Sequence, residues 1–191
     1  MHPVYKLILP LPDDAAATII VLRQSVIEHA RIPAPAAYRP QLILSKFLWQ
    51  EAREPALVAA VQQAIEGTGP LPLVAKGFGH FGTHSLHLSI APSPALLMLV
   101  AAIRRSLPRL RAHAPSPIQL KAPAHLSLLR RLKPADFTRA WHQFERSDFE
   151  KSFTITELWI VKKPEAAARY TVCARIPLFP GTAPRGQMHL F

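Results

Sequence analysis

Apolar positions along the chain switch between a two-residue and a roughly four-residue spacing, and these switches mark out the elements. The opening run VYKLILPLP has the aliphatic make-up of a strand and ends at prolines, which cannot donate to a sheet ladder. The spacing predicts a helix over 14–29, with Asp13 or Asp14 at its N-terminus and Ile19, Ile20, Leu22, Val26 and Ile27 on an apolar face. A proline-rich connection, ARIPAPAAY, leads into QLILSKFLW, a second strand by its aliphatic and aromatic content. The next helix begins near Glu54 with Pro55 in its first turn, carries Leu57, Val58, Val61 and Ile65, and stops before Gly67.

The second half repeats that order. LPLVAKGFGHF and SLHLSIA read as strands joined through a turn at Gly82 and Thr83, and Ser93 and Pro94 open a helix of 94–107 closed by Arg104 and Arg105. After the loop RAHAPSPI, the stretch KAPAHLSLLRRL forms a strand. Pro134 then starts a helix whose Phe137, Trp141 and Phe144 share one face. FTITELWIV and YTVCARIPL read as a β-hairpin across the loop KKPEAAAR, and the tail from Phe179 reads as irregular. The recurrence predicts an α+β fold of two pseudo-symmetric lobes, with antiparallel-rich sheets lining a central cleft and helices outside. Residues 1–191 then form one two-lobed domain.

Composition narrows the setting. With 191 residues, 49% of them hydrophobic, the chain can bury a sizeable interior. The longest apolar run, PALLMLVAAI, is far shorter than the ~20 residues that cross a bilayer. The N-terminal stretch is broken early by Pro10, Pro12, Asp13 and Asp14, unlike a secretory signal, so a cytoplasmic protein with no membrane partner is expected. Cys173 stands alone, which excludes an internal disulfide, and no activating partner for it is evident in the sequence. The net charge is +11, and no Asp or Glu occurs between Gly67 and Ala135, an interval that holds nine Lys or Arg. Such a field favours phosphate-bearing partners without conferring sequence specificity.

The chemistry concentrates on the HLSL strand. Alternate residues of a strand face opposite sides, so Leu126 and Leu128 pack under helices while His125 and Ser127 point the other way. An imidazole exchanges protons near neutrality, and a serine hydroxyl donates to anionic oxygen. Arg130 and Arg131 add positive charge behind them. A second H-x-S pair, His87 and Ser89, lies in HSLHLSIA with the same alternation.

The run APAHLSLLRRL, the helix containing AWHQF, then FTITELWIVKK and YTVCARIPL closely resemble the C-terminal half of the two-histidine phosphoesterase superfamily, the group containing the 2'-5' RNA ligase-like proteins. In the first half, RPQLILSKF resembles that family's first motif strand, and GFGHF leading into HSLHLSIAPSPALLMLVAAI resembles its middle. The resemblance implies that each lobe offers an H-x-S/T pair. It further implies two histidines acting as general acid and base on a phosphodiester, often a 2',3'-cyclic phosphate, with the hydroxyls holding the phosphate and no metal or other cofactor.

Position by position, His125 and Ser127 match the second motif, whereas Gln41 falls where the first histidine belongs and Ile43 where its hydroxyl residue belongs. A glutamine amide can hold a phosphate oxygen but has no proton that titrates near neutrality. The expected activity is hydrolysis of a cyclic or 2'-5' phosphodiester at RNA ends or in small phosphorylated nucleotides. His125 is then one acid/base, Ser127 the phosphate donor and His87 the source of the missing proton transfer, while Gln41, Ser89 and Arg130 bind substrate. The alternative is a catalytically impaired RNA- or nucleotide-binding protein that keeps the basic cleft.

Other constellations carry less. His80, His84 and His87 have a spacing seen in zinc sites, but they fall in a strand-turn-strand segment with no carboxylate or cysteine nearby. GFGHFG lacks the lysine and the following helix of a phosphate loop. Trp49, Trp141 and Trp159 read as core or cleft-edge residues, and Lys162 and Lys163 as a solvated strand end.

Overall fold

Turn-forming residues set the boundaries of the elements in a computed structural model that describes residues 2–33, 38–111, 114–115, 118–120, 124–164, 167 and 169–179. Lys121 to Pro123 at the head of the HLSL stretch, residues 112–113 and 116–117 of the loop before them, part of the loop KKPEAAAR and the tail from Pro180 lie outside the described residues. In chain order the elements are β1 (Val4–Pro10), α1 (Asp13–His29), β2 (Gln41–Leu48), α2 (Glu54–Ala64), β3 (Leu71–Phe81), β4 (Ser85–Ile90), α3 (Pro94–Arg111), β5 (His125–Arg130), α4 (Pro134–Phe144), β6 (Glu150–Ile155), β7 (Glu157–Lys163) and β8 (Thr171–Pro177). A short 3-10 turn, Glu51–Arg53, leads into α2.

Local chemistry accounts for most of these limits. Ser93 caps α3 by accepting the Leu96 N–H on its hydroxyl at 3.3 Å. Helix α1 instead begins after Pro12 with no side-chain cap, and Asp13 and Asp14 sit in its first turn, where a negative charge suits the helix dipole. Helix α3 runs past the expected end at 107 and contains Pro108, whose missing N–H removes one bond of its final turns.

The strands form two antiparallel sheets, in the orders β2-β1-β7-β8 and β5-β4-β3-β6. The first sheet therefore joins the N-terminal strands to the C-terminal pair, and the second takes the middle of the chain. Helices cross over between them. Helix α2 is tied to the first sheet, where Glu54 accepts bonds from Tyr5 of β1 and Lys162 of β7, both at 2.8 Å, and α3 packs on α2. Helix α1 lies on the second sheet beside α4: Arg23 Nε donates to the Leu128 carbonyl at 3.0 Å, and Lys151 pairs with Asp14 at 3.1 Å.

FTITELWIV is not one strand: it breaks at Thr156, so that β6 serves the second sheet and β7 the first, and the Thr156 carbonyl accepts the Leu178 N–H at 2.8 Å. Lys162 is not a solvated end, because it bonds Glu51 and Glu54 at 2.8 Å each. One apolar cluster, including Tyr5, Leu44, Leu88, Leu99, Ile155 and Ile160, runs through both lobes and fixes the angle between the sheets.

Candidate functional site

Burial alternates along the start of β5 as the leucine pattern requires, whereas on β4 both faces are buried from Ser85 to Leu88. Leu86, Leu88, Leu126 and Leu128 enter the core, leaving His87, Ser89, His125 and Ser127 on the opposite face. The strands pair antiparallel, so the two H-x-S motifs meet in inverted order, His87 opposite Ser127 and Ser89 opposite His125. The two imidazole rings stand 5.1 Å apart, centre to centre. A bulge at Leu128 follows directly, and the carbonyls it exposes are satisfied from outside the sheet: Tyr38 donates its hydroxyl to Ser127 at 2.5 Å, and Arg23 serves Leu128. Arg130 then emerges at the end of β5, exposed.

His87 is held far more tightly than a surface imidazole. Only 6% of it is exposed, the Phe81 ring stacks on it at 4.4 Å, and its Nε2 edge comes close to Gly79. A Cβ at position 79 would stand 2.5 Å from His87 Nε2, so the ring fits only because β3 carries glycine there. Burial, helped by the neighbouring His125 and His80, lowers the His87 pKa from 6.5 to about 4. The ring is therefore neutral at neutral pH, and its Nδ1 is buried with no hydrogen-bond partner among the described residues. His125 is half-buried and touches the edge of the same Phe81 ring at 4.8 Å.

The first sheet supplies the other wall. Leu42 and Leu44 enter the core, which places Gln41 and Ile43 on the face away from the helices. Strand β2 runs beside β5 through two ties: Tyr38 to Ser127, and a bridge between Ser45 and Leu120 in which the Ser45 hydroxyl donates to the Gln119 carbonyl at 2.7 Å. Gln41 and His125 are bracketed between them. Across the first sheet, Ile43, Ile8, Trp159 and Arg175 form one row by pairing. At the mouth, Lys6 lies 3.6 Å from the Tyr170 ring centre. Arg130 stands near enough to Tyr170 and Tyr38 for its charge to oppose the rise that burial causes in both phenols, with Tyr38 still reaching about 12.

All six residues singled out from the sequence thus lie on the two walls, with His125, Ser127, His87 and Ser89 in one block and Gln41 on the adjoining strand. The other histidines diverge. His80 faces α4, with its ring 4.6 Å from Trp141, and His84 folds over Gly82 at the exposed hairpin turn, so the H-x3-H-x2-H spacing does not converge. Burial and the nearby Glu54 push the Cys173 thiol up to about 12, which leaves it protonated and unreactive. Sequence reasoning missed Gly79, Phe81 and Tyr38, whose roles arise from contacts between distant segments. The alternating glycines of GFGHF were the one available signal, since a glycine inside a strand marks a close approach.

A family model described as the 2'-5' RNA ligase superfamily matches residues 13–166. Among solved structures, TT0787 of Thermus thermophilus is 20% identical with a TM-score of 0.68, covering 96% of this chain and 100% of that one. Escherichia coli LigT complexed with 3'-AMP is 19% identical with a TM-score of 0.64, covering 93% and 99%. A protein described as a phosphoesterase is 17% identical with a TM-score of 0.68, covering 94% and 99%. At these identities the likeness establishes the shared fold. No curated protein matches the chain significantly.

Proposed function

Because the chain belongs to the 2'-5' RNA ligase superfamily, we propose that its cleft binds a phosphodiester at an RNA end or in a small nucleotide and hydrolyses it slowly, with His125 as the proton-transferring group. The observation that supports this most is the block formed by the two H-x-S pairs, which sets one accessible imidazole and two hydroxyls beside the strand that carries Gln41.

In hydrolysis of a 2',3'-cyclic phosphate, water adds to phosphorus and one of the two phosphorus–ribose oxygen bonds breaks. The proton released by the water is balanced by the one taken up by the departing ribose oxygen. Ser127 and Ser89 donate to the phosphate oxygens, Arg130 offsets their charge, and the Gln41 amide orients the phosphate without exchanging a proton. His87, kept neutral by burial, is too weak a base at neutrality to replace the absent histidine. Its role in this reading is to back the His125 ring. One imidazole must then serve both proton transfers in turn, a handicap of about 10²–10⁴ in rate.

The test is hydrolysis of a short RNA ending in a 2',3'-cyclic phosphate. His125→Ala lowers kcat by about 10² or more with KM little changed, whereas Gln41→His, which restores a second titratable group, raises kcat by roughly tenfold or more. A Gln41→His protein no faster than the parent counts against the degenerate-motif reading. Gln41 and the neutral His87 also favour a second reading, a binding protein without turnover, which predicts salt-sensitive RNA binding by the parent and no product at any pH.

A further inference from the structure

Beyond the histidine block, the first sheet carries a second constellation on the same face. Trp159 is two strands from Ile43 in the shared row, about 10 Å at the usual strand spacing. The Arg175 guanidinium lies 4.7 Å from the indole centre, and that of Arg39, two residues before Gln41, lies 5.2 Å from it. The indole N–H donates to Glu157 at 2.5 Å, which fixes the ring plane. Trp159 thus acts as a strut for two guanidiniums. Both arginines are exposed, and neither forms an ion pair among the described residues. Both guanidiniums rest on one ring while staying exposed, so they form a preorganised pair that an anion can bridge.

A groove of about 350 Å³ opens beside this cluster and continues to Gln41 through Pro10, its partner in the sheet. Asp13, Glu157, Thr154 and Thr156 line it, together with Arg39 and Trp159. Its carboxylates repel a phosphate, but they and the threonine hydroxyls suit the amino and hydroxyl groups of a nucleoside. A paired-arginine anion site next to a pocket for neutral hydrogen-bond donors matches one nucleotide unit, with its phosphate on the arginines and its nucleoside in the groove.

We propose that Arg39, Trp159 and Arg175, with the adjoining groove, form a subsite for the nucleotide neighbouring the reacting phosphate, so that the substrate class is an oligonucleotide rather than a mononucleotide. This rests on the reading of the histidine block as the phosphodiester site. The subsite is contiguous with Gln41 along the sheet, since Arg39 lies two residues before it and Pro10 both pairs with it and lines the groove, as the next unit of a chain requires.

The test uses probes that need no turnover: fluorescein-labelled tetra-adenylate RNA with a 3'-phosphate, followed by anisotropy, and 3'-AMP, followed by calorimetry. The parent binds the RNA at least about tenfold more tightly than 3'-AMP. Arg39→Ala/Arg175→Ala removes most of that difference, reduces the salt slope of RNA binding by about 0.7, as loss of one neutralised phosphate on a single strand implies, and leaves 3'-AMP affinity within about twofold. Both positions are exposed, and an unchanged melting temperature verifies the fold. RNA affinity unaffected by the double substitution, or an equal loss for both probes, overturns the proposal. Turnover of cyclic-phosphate RNA by the parent is scored separately. If it is absent while the binding pattern holds, the hydrolytic reading falls and the subsite stands; if turnover is present without the binding pattern, the subsite falls alone.

Discussion

His87 illustrates how one residue type is given a different character by its packing. Its ring packs against Phe81 and Gly79, and burial brings its pKa to about 4. In the unfolded chain the ring titrates near 6.5, so between about 6.5 and 4 the unfolded state takes up a proton that the folded state refuses. Stability is therefore full above pH 6.5 and falls as the pH drops towards 4, by at most about 3 kcal/mol from this group. Urea midpoints at several pH values check this: His87→Phe removes that share of the acid sensitivity, and an unchanged profile contradicts the assignment. Gly79→Ala forces the ring out of its seat, at a cost of about 1–3 kcal/mol and with reduced turnover. Combining it with His87→Ala recovers part of the stability loss, measured as a non-additive double-mutant cycle. The sequence displayed His125, Ser127, His87 and Ser89 through strand alternation. It did not show that the two histidines differ in exposure, because Phe81 and Gly79 reach His87 from a different strand.

At the scale of elements, the strands and helices were largely legible, since prolines, glycines and capping serines punctuate the chain. Two features were not. The break at Thr156 joins two runs of good strand composition, and no local signal marks where a chain changes sheets; only the pairing of β6 with β3 and of β7 with β1 decides it. The assignment of helices to sheets was likewise hidden, because an apolar face does not name its partner. The contact between β2 and β5 follows from the same tertiary logic, and Tyr38 is its clearest bond. Tyr38→Phe leaves the Ser127 carbonyl without this donor, which costs about 1 kcal/mol and loosens Gln41 relative to His125. The expected readout is a raised KM for cyclic-phosphate RNA with a smaller change in kcat. Loss of stability with unaltered kinetics would make the bond purely structural.

Over the whole molecule, the two sheets set one wall of hydroxyls and imidazoles beside another of arginines and an indole, in a chain whose net charge is +11. Among the described residues no helix is long and apolar enough to cross a membrane. Charge and fold favour a polyanion, but they do not distinguish binding from breaking it; that distinction rests on His125. The most direct measurement is single-turnover hydrolysis of an RNA ending in a 2',3'-cyclic phosphate, comparing the parent with His125→Ala under conditions where both bind the RNA equally. The account predicts measurable product from the parent and a rate lower by about 10² or more for the variant. Bound RNA that the parent never cleaves, or equal rates for the two proteins, would contradict it.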